Sequence, residues 1–292
     1  MSNKEVINTD ILRARIANLE YGKITVEQIR KLYIEEIGKE PPTEITVYHS
    51  EDIMEIKEGK DSGFDGTVIH FYDPEKGINQ SYTITRGSEA GEDNGKGPPL
   101  DWLYNGFGIF TGSIRDQYNN AEDFDEIVTQ LINKKMSKDI ERKLERGEKV
   151  RPVKLQKYAI GHSLGGNHAQ LLEIMTQSFE DVYVINDAAP TSYQLALIDP
   201  DFRLSISDEF NIDPENNTIL YSLPPAELKA FAEEYYKDRG KDIHHLTVEE
   251  DMLFGVFNLR GFLELGDRKI INMDPKYEGI GEIIGELSDE NV

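Results

Sequence analysis

The 292-residue chain contains no cysteine. Composition therefore excludes disulfides, thiolate catalysis and cysteine-ligated zinc or iron-sulfur centres. Basic side chains are scarce as well: 32 Lys and Arg face 55 Asp and Glu, a formal net charge of −23. Such a surface repels nucleic acid phosphates and anionic membranes, so no nucleic acid partner is expected. A neutral ester or zwitterionic lipid stays compatible, because burial and local geometry recognise it. No stretch approaches the roughly 18 apolar residues of a spanning helix. The start, Met1-Ser2-Asn3-Lys4-Glu5, lacks the basic and apolar regions of a secretion signal. As given, the chain reads as cytoplasmic, with export by other routes left open.

What is present suits one large α/β domain with excursions. Residues 9–37 have the pattern of two helices: Leu12, Ile16 and Leu19 recur at helical spacing, and Thr25-Val26-Glu27-Gln28 has the form of a capping box. Residues 1–42 are read as a packed helical hairpin and 43–292 as the α/β domain. Segments 44–48, 67–72 and 80–85 are rich in β-branched and aromatic residues, with a turn at 73–77. A Gly- and Pro-rich loop at 89–99 precedes a helix from Ile114 to Leu131, which fades into the charged run 134–151. Residues 155–160, 164–179 and 182–185 read as strand, helix, strand, a βαβ unit that implies a mostly parallel sheet. Further on, the pattern predicts a helix at 192–198, strands at 203–206 and 218–222, and helices at 225–237 and 247–257.

Between the first strand and helix of the βαβ unit lies Gly161-His162-Ser163-Leu164-Gly165. A sharp turn flanked by glycines lifts a serine above the sheet edge, where its hydroxyl can attack an acyl group. The helix that follows adds free N–H groups and a positive dipole end at the same point. Ser163 is thus the candidate nucleophile and the Leu164 N–H a candidate oxyanion donor.

Residues 158–166 resemble the elbow of the class 3 (fungal-type) lipases and their bacterial relatives, and Tyr82-Thr83-Ile84-Thr85-Arg86-Gly87-Ser88 resembles that family's aromatic-Arg-Gly-Ser/Thr strand. The resemblance spans about residues 80 to 190. It implies an α/β-hydrolase fold, a Ser-His-acid triad, hydrolysis of lipid or small-molecule esters, and no metal or organic cofactor. It also implies that Ser88 gives the second oxyanion donor and that residues 89–103, with Trp102 and Leu103, form a lid. Thr85 departs from the family, where an aromatic residue is more common.

Only six histidines are available as the base. His49 and His70 precede the oxyanion strand, His162 adjoins the nucleophile, and His168 lies on the following helix. His245 is therefore favoured over His244, both placed on a loop before a helix. For the acid, Asp208 follows an expected strand, with Asp213 and Asp187 as alternatives. The cluster Asp208, Glu209, Asp213 and Glu215 could instead bind calcium, although it lacks the EF-hand pattern. Thioester or amide hydrolysis, or a non-catalytic binding module on the same fold, stay open. Assembly state is not written in the sequence.

Overall fold

The computed structural model describes residues 4–53, 64–86, 99–249 and 262–271, with side chains of the helix beginning at 99 described from Gln117 onward. Thr9 accepts the Leu12 N–H and opens α1 (Asp10–Asn18), followed by a 3-10 turn (Leu19–Tyr21). The capping box of Thr25 and Gln28 opens α2 (Val26–Ile37), and Gly38 ends it at φ 77°. Next come β1 (Glu44–His49), the short α3 (Ser50–Ile53), the hairpin of β2 (Asp65–Asp73) and β3 (Ile78–Arg86), and α4 (Pro99–Glu145). The central unit is β4 (Gln156–His162), α5 (Leu164–Thr176) and β5 (Asp181–Ile185). Four helices follow: α6 (Ser192–Ile198), α7 (Pro200–Phe210), α8 (Asn217–Leu220) and α9 (Pro225–Tyr236). They lead to β6 (Ile243–Val248) and β7 (Asp267–Ile271).

The strands form one seven-stranded sheet in chain order, β1 to β7. β1, β2 and β3 pair antiparallel, and β3 to β7 run parallel. This is an α/β fold with a mostly parallel central sheet flanked by helices. Because the parallel strands advance steadily in one direction, right-handed crossovers must all lie on the same face. Ala159, Val182 and Val184 accordingly point into a core shared with α5, α6, α7 and α9. Their neighbours Ile160 and Ile185 point the other way, as strand alternation requires, and there they meet Leu12 and Ile16 of α1 and Ile29 and Tyr33 of α2. The N-terminal helices thus cover the face that the crossovers leave bare. Burial of both faces explains why β3 and β4 read as nearly continuous apolar or neutral runs.

Several expectations fail. Residues 203–206 and 218–222 are helical, in α7 and α8, rather than strands. Asp199 caps α7 by accepting the Asp201 and Phe202 N–H groups, and Pro200 stands at its first position, so the cap overrides the short apolar stretch 203–206. His244 and His245 are on β6, not on a loop, and Thr247, expected to begin a helix, is a buried strand residue. The rest of the helix expected at 247–257 lies outside the described residues, as does most of the loop at 89–99. The helix expected from Ile114 begins earlier, at Pro99, and continues through much of the charged run. β7 was not foreseen from the sequence.

Candidate active site

β4 ends at His162 and α5 begins at Leu164, so the whole turn is made by Ser163, at φ 54° and ψ −125°. A positive φ at a non-glycine residue costs on the order of 1–3 kcal/mol and persists only where surroundings enforce it. Here they do. A Cβ on Gly161 would lie 2.5 Å from the Gly165 carbonyl oxygen, and one on Gly166 would lie 2.5 Å from the Asp187 Cβ. Only hydrogen fits at either position, which lets α5 start directly against the sheet. Thr85 Oγ1 donates to the Gly165 carbonyl at 2.6 Å, so the hydroxyl at that departure from the lipase pattern braces the turn.

The serine backbone is held on both sides. Its N–H donates to Ile185 O at 3.2 Å, and its carbonyl accepts from the N–H groups of Gly166 and Ala188, each at 3.0 Å. The turn after β5 is fixed in its own right: Asn186, at φ 42°, donates its N–H to Leu246 O at 3.0 Å, and its Oδ1 accepts the Val248 N–H at 2.8 Å. Leu164 is the first residue of α5, where an N–H has no acceptor within the helix. It can therefore face an oxyanion. Ser88 lies outside the described residues, and so do the side chains of Trp102 and Leu103 on α4.

The structure does not bring His245 to Ser163. β6 is separated from β4 by β5, about 10 Å at two strand spacings. His245 also pairs with Val184, which pairs with Gly161, two residues below the serine. Its ring is enclosed: Nδ1 lies 3.0 Å from Asp187 Oδ1 and Nε2 lies 2.8 Å from the Leu265 carbonyl. His244, on the opposite face, has Nε2 3.0 Å from Asp181 Oδ1 and Nδ1 against Asp267. The hydrogen bond to Asp181, then the one to Asp267, outweigh partial burial and raise its pKa. Asp208 is exposed on α7, away from any strand end, and Asp213 accepts the Glu215 N–H in an exposed turn. Of the three candidate acids, the one brought to a histidine is Asp187, which lies at the end of a strand beside the elbow. Its Oδ2 accepts from Gln170 Nε2 at 2.7 Å, a contact that no local sequence signal marked.

Nor do the other histidines bond to Ser163 among the described residues. His49 Nδ1 lies 3.1 Å from Thr67 Oγ1, and His70 Nε2 lies 2.9 Å from Asn79 Oδ1. Burial lowers both His70 and His168 to about 4. His162 is half-buried at the end of β4. Among the described residues no group of three or more His, Asp or Glu is placed to hold a metal, those of 208–215 included. Nor is any helix among them long and apolar enough to cross a membrane.

The family described as "Domain of unknown function (DUF6792)" matches residues 11–272. Along its whole length the chain is 27% identical to YvcB of Bacillus subtilis (strain 168), an uncharacterized protein, and it spans only 46% of that relative. It is also similar to the crystal structure of Lip2 lipase from Yarrowia lipolytica, at a TM-score of 0.45 and 13% identity, covering 92% of this chain and 82% of that one. That likeness is one of outline.

Proposed function

We propose that this chain, which belongs to the DUF6792 family, is a serine hydrolase that acts on carboxylic ester bonds through Ser163. The observation that carries this reading is the strained elbow, in which a non-glycine residue at φ 54° closes the turn between β4 and α5. Strain of this kind, enforced by two glycines without room for a Cβ, presents a hydroxyl at the open end of a parallel sheet. Ser163 Oγ attacks the ester carbonyl as its proton passes to a base. The N–H groups of Leu164 and Ser88 hold the resulting oxyanion, each contributing ~2.7–4 kcal/mol. Collapse releases the alcohol, and water then hydrolyses the acyl-enzyme. The base is a group other than His244 and His245. Segments 250–261 and 272–292, which follow β6 and β7 in the sequence, contain eight carboxylates, from Glu250 and Asp251 to Asp289 and Glu290, but no histidine.

One observation favours a second reading. With both ring nitrogens of His245 engaged, the fold would also serve a non-catalytic binding module that retains the elbow as a structural turn. Fluorophosphonate labelling separates the two: the hydrolase labels on Ser163 and loses the label in Ser163→Ala, whereas the binding module does not label. A chain-length series of p-nitrophenyl esters then reads the acyl preference.

A further inference from the structure

We infer that His245 and Asp187 form a buried clamp that aims the Leu164 N–H, which makes His245 a positioning residue for the elbow. The inference rests on the hydrolase reading for its catalytic meaning, while its geometric part stands apart from activity. The two side chains are 1% and 0% exposed, and they join β6 to the turn after β5. A carbonyl oxygen can only accept, so the proton on Nε2 is committed to Leu265 O at 2.8 Å and that nitrogen cannot take one from a serine. The second carboxylate oxygen of Asp187 is held by Gln170 of α5 at 2.7 Å. One carboxylate therefore ties β6 to the helix that begins at the elbow.

The next residue carries the effect onward, because the Ala188 N–H donates to the Ser163 carbonyl at 3.0 Å. No described peptide bond is cis, and in a trans peptide the C=O and N–H point in opposite directions. Pinning the Ser163 carbonyl toward Ala188 thereby turns the Leu164 N–H the other way, away from the 186–188 turn. An imidazole two strands from the nucleophile thus sets the direction of the oxyanion donor through Asp187, Ala188 and a single peptide plane.

The test is amide hydrogen exchange on the full chain, comparing native protein with His245→Gln and, as a milder disruption that leaves the imidazole in place, Gln170→Leu. The clamp predicts that the amides of Ser163 and Ala188 exchange tenfold or more faster in either folded variant, while those of β3 and the first half of β4 change less than about twofold. Uniform acceleration, or none at the elbow, overturns it. With p-nitrophenyl acetate, positioning predicts roughly tenfold or greater loss in kcat at unchanged KM and an unchanged pH profile in His245→Gln. A lost inflection in that profile, or a loss as complete as in Ser163→Ala, would make His245 the base and overturn the clamp. If native protein shows neither labelling nor turnover, the hydrolase reading falls, and the exchange pattern alone decides the clamp.

Discussion

His244 and His245 are neighbours on β6, yet they occupy opposite faces of the sheet and opposite dielectric settings. His244 stacks on Tyr183 with ring centroids 5.2 Å apart, and its carboxylate partners Asp181 and Asp267 have side chains 32% and 71% exposed. His245 and Asp187 are sealed beneath the elbow. The same pair of functional groups is therefore a weak surface contact in one place and a structural commitment in the other. A solvated ion pair gains little because water already serves both charges, whereas removing one member of a buried pair strands the other without solvent.

The largest effect should come from breaking that contrast. His245→Leu leaves Asp187 buried without its imidazole and is expected to cost about 3–5 kcal/mol in urea unfolding. His244→Leu, by the same assay, should cost roughly 0.2–1 kcal/mol. Equal losses would show that the two faces are not electrostatically distinct. Gly166→Ala presses a methyl into the Asp187 side chain and should cost about 1–3 kcal/mol, with the fluorophosphonate reaction slowed in parallel. Thr85→Val removes the hydroxyl's bond to the Gly165 carbonyl, for about 0.5–1.5 kcal/mol, and a stability equal to the native protein would remove Thr85 from the elbow.

The smallest effect is a pH slope. The folded pKa of His244 is raised by Asp181 and Asp267, so its contribution is full below the unfolded value of 6.5 and is lost as pH rises through the folded value. Glu173, pushed up to about 7 by burial, acts in the same sense: its contribution is full below 4.5 and fades as pH rises through about 7. Native stability should thus decline from pH 6 to 8 for two reasons. The difference between native protein and His244→Gln isolates the histidine, and parallel slopes would contradict its assignment.

The elbow was legible in the sequence because its requirements are local: two glycines, a serine, a strand before and a helix after. The N-terminal helices were legible for the same reason, since Thr9 and the Thr25 capping box act within one turn. β6 was not, because its identity depends on pairing with β5 and β7 across long stretches of chain. Its period-2 burial, with Ile243, His245 and Thr247 inward, was masked by two adjacent histidines and by a threonine that also suits a helix cap. The sequence Asp199-Pro200 carried the start of α7 in plain form, yet the apolar Arg203 to Ile206 stretch behind it drew the expectation of a strand and, with it, the choice of Asp208. β7 opens with Asp267, Arg268 and Lys269, whose polarity reflects a strand with little cover rather than a loop. The partnership of Asp187 with His245 spans 58 positions and has no local signature.

Most directly, the account is tested by fluorophosphonate labelling of the native chain followed by peptide mapping. It predicts one adduct, on Ser163, absent from Ser163→Ala and formed more slowly in folded His245→Gln. An unlabelled native chain, or an adduct that survives Ser163→Ala, would contradict it.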